Sequence, residues 1–241
     1  MSAGLDGKIA LVTGASRGIG RAVSLALHEV GVQVVASARP SEDLVSLASE
    51  LGDGGIIWEG DATADELLSR ISGMDSLDIL INNAGGNRPE PFVDVSDENL
   101  DFILNLNVRT TFRIARESVK RMKLGGSIVN ITSQMGHVGS PNRTVYCMTK
   151  HAIEGLTRAM AVELAPEGIR VNSVAPTFIE TPLTKPMLAD PEFEAFVKRM
   201  IPMGKTGQPE DVAAAVVYLC SDGAGMVTGH SLLVDGGWTA Q

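Results

Sequence analysis

The sequence predicts a doubly wound α/β fold of three layers, a parallel sheet of seven strands between two layers of helices. Three observations predict it. Short β-branched apolar runs alternate with longer stretches of helical period along the whole chain, the pattern of a parallel sheet with helices on both faces. The runs read as continuous Val, Ile and Leu, as strands do when both faces are covered. A glycine-rich turn follows the first run and opens the first helix.

In order, strands are expected at Ile9–Thr13, Gln33–Ser37, Gly55–Trp58, Leu77–Ile81, Ser127–Thr132, Arg170–Val174 and Ser231–Val234. Helices are expected between them at Gly20–Val30, Asp43–Leu51, Asp65–Ser72, Asp97–Met122, Val145–Leu164 and Pro209–Cys220. No linker or composition shift interrupts residues 1–241, so one domain is expected. One connection breaks the rhythm. Between Pro176 and Gly207, prolines at 176, 182, 186, 191 and 202 surround a short helical stretch, Pro191–Met200. An excursion this long is more often a functional lid than a passive loop. Residues 177–207 are therefore expected to close over a substrate, with a purely structural excursion as the alternative.

Composition removes several classes of function. Of 241 residues, 44% are hydrophobic and 20% charged, enough for a full core. A formal net charge of −9 and 4% aromatic residues leave neither a phosphate-tracking surface nor stacking platforms, which argues against nucleic acid. No apolar window is long enough to span a membrane, and the N-terminus lacks a basic-then-apolar leader. Cys147 and Cys220 lie far apart without CxxC spacing, so neither a disulfide scaffold nor a zinc site is expected. No metal is expected, and a reducing cytoplasm is the natural compartment.

The first strand runs into Thr13-Gly14-Ala15-Ser16-Arg17-Gly18-Ile19-Gly20. Glycines permit a sharp strand-to-helix turn and close approach to a pyrophosphate, and the helix N-terminus offers free N–H donors. The spacing is GxxxGxG rather than GxGxxG, but its place after the first strand points to nucleotide binding. At the end of the second strand, an acid would grip the ribose hydroxyl of NAD. The sequence has Ser37-Ala38-Arg39 there instead. Arg39, with Arg17 nearby, can hold a 2′-phosphate, so NADP(H) is preferred and NAD(H) remains possible. Asp61 after the third strand could accept from an adenine amine, and Asn83-Ala84-Gly85 after the fourth could let a ribose approach. Ordinary turn chemistry explains either equally.

Tyr146 and Lys150 stand four residues apart on an expected helix and share a face. A tyrosine is a weak acid at neutrality, and an adjacent ammonium would lower its pKa. Ser133 ends the fifth strand, where its hydroxyl could donate to a carbonyl oxygen. Together they suit a proton moving on or off oxygen while a hydride moves on or off carbon.

In this order, the glycine turn, Asn82-Asn83-Ala84-Gly85, Ser133 and the Tyr146/Lys150 pair resemble the short-chain dehydrogenase/reductase family. The resemblance runs from Lys8 to Leu233-Val234-Asp235-Gly236-Gly237. It implies a Rossmann fold and an oxidoreductase acting on CH–OH donors and their carbonyls. It implies Tyr146 as acid/base, Ser133 as the carbonyl-orienting hydroxyl, and Lys150 on the nicotinamide ribose. It adds Asn107, holding a water that relays protons toward Lys150. Its cofactor positions fall on Gly14, Ser16, Arg17, Gly18, Ile19, Gly20, Asp61, Asn83, Ala84, Gly85, Tyr146, Lys150 and Ile179, with Thr181 available to the carboxamide. Arg39 beside Ala38 looks like the NADP-preferring subgroup. Where many relatives carry Pro-Gly after the sixth strand, this chain has Pro176-Thr177. A homotetramer is implied, built through Asp97–Met122, Val145–Leu164 and the C-terminal strand.

Ser133, Gln134, His137 and Tyr146 are expected to face the substrate, with Gly86, Asn87, Met187 and Phe193 as further candidates. His28, His151 and His230 show no metal spacing. Cys147 and the ten methionines read as packing, and Glu163 and Glu167 as solvated. The expected activity is NADP(H)-dependent interconversion of a secondary alcohol and a ketone, as in a carbonyl reductase. A 3-oxoacyl-[acyl-carrier-protein] reductase is the rival, with Arg109, Arg113, Arg116, Lys120, Arg121 and Lys123 as a patch for an acidic carrier. A non-catalytic nucleotide sensor on the same fold is the alternative of another class.

Overall fold

The computed structural model describes residues 4–241. Met1–Ala3, part of the stretch read above for a leader, and the Lys123 side chain lie outside the described residues. Among the described residues, the strands are β1 (Ile9–Thr13), β2 (Gln33–Ala38), β3 (Gly55–Glu59), β4 (Leu77–Asn82), β5 (Met122–Ile131), β6 (Arg170–Pro176) and β7 (Ser231–Val234). They form one seven-stranded sheet in the order β3-β2-β1-β4-β5-β6-β7, every neighbouring pair parallel. The chain winds outward from β1 to β3 and then returns to β4 beside β1. The order therefore reverses between β1 and β4, where the crevice beyond the strand ends is the ligand site of such sheets.

Successive side chains point to opposite faces. Ala10, Val12, Val34, Ala36, Ile79 and Ile81 pack with Val23 and Leu27 of α1 (Gly18–Glu29) and with Val212 and Val216 of α9 (Pro209–Cys220). Leu11, Val35, Leu80, Ile128 and Val171 face the other way. They meet Leu67 of α3 (Asp65–Ser72), Ile114 of α5 (Thr110–Val119) and Ala161 of α6 (Thr144–Leu164). Helix α2 (Glu42–Leu51) flanks the β3 edge. The fold is the Rossmann-like three-layer sandwich that the alternating runs predict.

Three expectations need correction. The span Asp97–Met122 is not one helix. It comprises α4 (Asp97–Leu104), a π turn at Asn105–Arg109, and α5. One inserted residue keeps the apolar face roughly aligned, so periodicity runs through a π turn without registering it. The chain then leaves the helix early. Met122 pairs with Leu77, and β5 ends at Ile131, leaving Thr132 N–H to reach Val174 O at 2.8 Å beyond the strand. The methionines are not uniformly core. Met148, Met203 and Met226 are exposed, Met226 to 98%.

The proline-rich excursion carries α7 (Lys185–Leu188) and α8 (Pro191–Met200). A parallel bridge between Ile179 and Gly207 closes its base, with Glu180 N–H on Gly207 O at 2.9 Å and Gly207 N–H on Phe178 O at 3.0 Å. Phe178 meets Phe193 edge-on at 5.5 Å and Trp238 at 5.8 Å, so the C-terminal turn folds onto the excursion.

Candidate active site

The crevice is assembled by one threonine. Thr13, at the end of β1, accepts from Asn83 N–H at 3.0 Å and Ala84 N–H at 3.1 Å. Asn83 Nδ2 returns bonds to Thr13 O at 2.9 Å and Gly14 O at 3.0 Å. The Asn83 side chain therefore clamps β4 to the glycine turn, and its amide protons are committed there. The glycines obey the same clamp. Gly14 and Gly18 hold φ of 64° and 55°, which disfavour side chains. A Cβ at Gly20 would lie 2.2 Å from Gly14 O and 2.5 Å from Asn83 Nδ2. A Cβ at Gly18 would lie 3.2 Å from the Thr181 methyl, so the start of the excursion abuts the turn; Ile179, two residues before it, is buried.

Helix α1 has Arg17 as its N-cap residue with no side-chain cap and no acid in its first turn. By contrast α2, α4, α8 and α9 are capped by Ser41, Ser96, Asp190 and a Gln208–Asp211 capping box, and α3 starts on Asp65 and Glu66. The free N–H groups of α1 open beside Gly14, Ser16 and Ile19, an arrangement that fits an anionic diphosphate. Arg17 and Arg39 are exposed at this edge. Asp61 spends its carboxylate on its own turn, accepting from Thr63 N–H at 2.8 Å and Thr63 Oγ1 at 2.7 Å. These bonds, with the charge of Arg39, hold it below the usual carboxylate range.

Beyond β5 and along α6 the remaining candidates converge. Lys150 is buried, its Nζ donating to Ile131 O at 2.9 Å and standing 5.5 Å from the centre of the Tyr146 ring. Burial pushes its pKa down to about 8, with the Glu154 charge opposing. Asn107 sits in the π turn, 2% exposed. Its side chain accepts from Gly86 N–H at 2.9 Å and donates to Gly86 O at 2.9 Å and Thr149 Oγ1 at 3.1 Å. A Cβ on Gly85 would lie 3.2 Å from Asn107 Oδ1 and 3.8 Å from Lys150 Nζ, which explains the glycine and brings Asn107 and Lys150 to one spot. Ser133 Oγ accepts from Met135 N–H at 3.1 Å and donates a long bond to Gln134 Oε1 at 3.2 Å.

Tyr146 departs from expectation. Burial raises its pKa above the ordinary phenol value, and the groups pulling the other way are Ser133 and Arg143, not Lys150. The ammonium lies over the ring and donates to a backbone carbonyl.

The sequence reading missed the carboxylate beneath this cluster. Glu154, one turn past Lys150 and buried, accepts from Thr132 Oγ1 at 2.6 Å, Ser173 Oγ at 2.9 Å and Ser231 Oγ at 3.0 Å. Ser231 gives its one proton to Glu154, so it accepts from His137 Nε2 at 2.9 Å. That nitrogen lies 3.4 Å from Glu154 Oε1, so Nε2 is engaged toward β7. Gln134 is buried against Ser133. A carboxylate at i+4 from a lysine was the available signal, but nothing local distinguishes it from a solvated pair. Cys147 packs under the excursion with Met135, Phe178 and Val197, joined by Tyr146, Met187 and Phe193. Glu163 and Glu167 are exposed, as expected. Thr177, in place of the family glycine, has a buried hydroxyl without a partner among the described residues.

A family model described as enoyl-(acyl carrier protein) reductase matches residues 14–239. The chain is 39% identical to L-xylulose reductase of Mus musculus over 243 residues, covering 100% of both. It is 39% identical to the 3-oxoacyl-[acyl-carrier-protein] reductase FabG of Rickettsia prowazekii over 236 residues, covering 97% of each. Among solved structures, a candidate NAD(P)-dependent gluconate 5-dehydrogenase from Beutenbergia cavernae, carrying NADP at low occupancy, superposes with a TM-score of 0.94 at 33% identity over 100% of both chains.

Two outcomes follow for the site. Glu154→Ala removes the acceptor of Ser173 and Ser231 and leaves Thr132 only Val174 O at 3.2 Å, and is expected to cost about 3 kcal/mol, or roughly 6–12 °C of Tm in a thermal melt. Lys150→Met acts with pH. The folded-state pKa of Lys150 is about 8 against an ordinary 10.5, so the unfolded chain binds more protons across that window and the ammonium's penalty fades as pH rises through it. The variant is therefore expected to be more stable than the parent at neutral pH. Urea melts should find this gain shrinking above about pH 8 and gone beyond 10.5.

Proposed function

The chain belongs to the short-chain dehydrogenase/reductase family, oxidoreductases acting on alcohols and ketones, and from that premise we propose that it is an NADP(H)-dependent reductase converting a ketone to a secondary alcohol. The observation that supports it is the convergence of three groups: Lys150 Nζ stands 5.5 Å from the centre of the Tyr146 ring, and the Ser133 hydroxyl beside them holds only a long bond to Gln134. When bound, the nicotinamide supplies the hydride. Tyr146 gives its proton to the carbonyl oxygen, and Ser133 turns its hydroxyl from Gln134 to that same oxygen. Both interactions strengthen as charge develops on the oxygen, so they favour the transition state over the bound ketone. Lys150 holds the replacement proton close by and binds the nicotinamide ribose, and Asn107 keeps a relay water in reach of it. Residues 177–207 close over the site and exclude water.

The cofactor lies along Gly14, Ser16, Arg17, Gly18, Ile19 and Gly20, with Asp61, Asn83, Ala84 and Gly85 beyond the neighbouring strands and Ile179 and Thr181 on the nicotinamide side. Arg39 and Arg17 favour the 2′-phosphate of NADP, since β2 ends without an acid. Residues 1–241 act as one catalytic and cofactor-binding unit, in the cytoplasm. The copies assemble as a homotetramer. Exposed Phe112, Met148 and Val162 on α5 and α6, and Tyr218, Met226 and Leu233 around β7, support two apolar interfaces.

The carrier-protein reading draws less support. Arg113 pairs with Asp65, and Arg116 and Lys120 share Glu117 at 3.4 and 2.8 Å, so two carboxylates offset part of the basic patch. A sensor has no use for a buried lysine beside a phenol.

Tyr146→Phe tests the reading. Ketone-dependent loss of reduced-nicotinamide absorbance is expected to fall by roughly 10²–10⁴-fold, with cofactor binding, followed by fluorescence, kept. Arg39→Asp tests the cofactor. The ratio of kcat/KM for NADPH over NADH is expected to fall at least about tenfold, and an unchanged ratio would remove Arg39 from 2′-phosphate recognition.

A further inference from the structure

One charge near the site has no counterpart. Arg143 is the residue before α6, one turn ahead of Tyr146, and its guanidinium is half-buried. Its single side-chain hydrogen bond among the described residues is from Nη2 to the sulfur of Met187, at 3.7 Å, on α7 of the closing segment. A thioether is a weak acceptor. No carboxylate lies within ion-pair distance of it among the described residues. Burial disfavours its charge, and the titratable groups near it are the Tyr146 phenol and the Cys147 thiol.

Elsewhere such arginines have oxygen partners, Arg121 excepted: its Nε is buried without one, but just before β5, at the opposite end of that strand from the site. Arg170, similarly half-buried, donates to the carbonyls of Leu219 at 2.6 Å, Cys220 at 3.3 Å, Ser221 at 3.4 Å and Val227 at 3.4 Å. Arg21 reaches Asp43 O at 2.9 Å, Ser46 Oγ at 3.0 Å and the Glu50 carboxylate. Arg143 also stands at the N-terminal end of a 21-residue helix with no acid in its first turn, where the helix dipole disfavours a cation. A charge that is partly desolvated, misplaced on the dipole and unpaired lowers stability unless something else requires it.

We propose that Arg143 is the anion-recognising residue of the substrate cleft, and that the ketone this enzyme reduces carries a carboxylate a few carbons from the reacting carbonyl. The inference rests on the reductase reading above and names its substrate class. A guanidinium takes a carboxylate through two parallel, charge-assisted bonds, and Met187 is the group a carboxylate would displace. One turn of helix sets Arg143 about 5–6 Å from Tyr146 between Cβ atoms, so an acid held by Arg143 brings a nearby ketone to the phenol. One guanidinium balances one negative charge. The surrounding wall is apolar, made by Met135, Phe178, Phe193 and Met187. A phosphate dianion would keep uncompensated charge there, which favours the carboxylate.

The test compares acetoacetate and levulinate with their methyl esters, and dihydroxyacetone phosphate with dihydroxyacetone, following loss of NADPH absorbance. The expected result is a higher kcat/KM for each acid than for its ester. Arg143→Met is expected to cut that preference roughly 10–100-fold, chiefly through KM, with Arg143→Lys recovering part of it. Because Met keeps the apolar stem and removes the stranded charge, Arg143→Met should melt at or above the parent temperature. Equal or better turnover of the esters overturns the inference and leaves the reductase reading standing. So does a preference for the phosphate, an equal loss on acid and ester in Arg143→Met, or a Tm lowered by several degrees. Failure of every carbonyl to consume NADPH overturns the reductase reading itself, and this inference with it.

Discussion

The site is organised around an ammonium kept where water does not reach it. Lys150 is buried, and a single backbone carbonyl, Ile131 O, accepts from it. Isolated burial of a cation is among the most unfavourable things a fold can do, and it drives pKa downward. Here the value is about 8, close enough to neutrality for the lysine to gain and lose a proton. What limits the penalty is Glu154, one turn along α6, fully bonded to Thr132, Ser173 and Ser231. Each donor comes from a different strand end or loop: Thr132 after β5, Ser173 on β6, Ser231 on β7. The carboxylate therefore holds three strands in register under the lysine, and the same bonds that stabilise the charge fix where α6 sits.

A second set of constraints meets the first at Gly85. The clamp from Thr13 through Asn83 fixes the end of β4, and the π turn swings Asn107 in to bind both polar groups of Gly86. Gly85 is left between Asn107 Oδ1 and Lys150 Nζ, where a Cβ would be tight against the first at 3.2 Å and touch the second at 3.8 Å. Glycines in such turns are commonly explained by a ligand that must come close. Gly20 and Gly85 have an explanation in the protein itself, since a methyl at either would meet Gly14 O or Asn107 first. Cofactor crevice and proton-handling cluster are thus one mechanical unit, joined through four residues after β4.

What could be read from the sequence follows from how local each feature is. The seven strands were legible because doubly covered strands are continuous apolar runs, and the pairing of Tyr146 with Lys150 because four residues make a helical turn. The error at Asp97–Met122 has the opposite origin. A π turn preserves the apolar stripe, and the departure of Met122 into β5 is decided by Leu77, forty-five positions earlier. The Asn83-Ala84-Gly85 backbone could be read as open to a ribose, but the binding of the Asn83 side chain to Thr13 and Gly14 could not be read. Nor could the bond from His137 to a serine on β7, distant in sequence, be read. Glu154 was not singled out at all. Its partners come from three separate stretches, and no pattern within α6 distinguishes it from the exposed Glu163.

The same division separates the chemistry from its specificity. Proton transfer needs a phenol, a hydroxyl and a lysine, two of them on one helix, so residue type and spacing nearly suffice to find it. Specificity is made where the excursion after β6 returns over α6, and contacts there join residues some forty positions apart, as Arg143 and Met187 are. From the sequence alone Arg143 is one of twenty Lys and Arg side chains. What separates it is a missing partner beside Tyr146, and a missing partner becomes visible only when every neighbour is in place. Arg170, equally half-buried, is matched by four carbonyls and Arg143 by one sulfur. The proposed anion recognition rests on that contrast: one guanidinium is satisfied by the fold, and the other is left open next to the proposed acid/base.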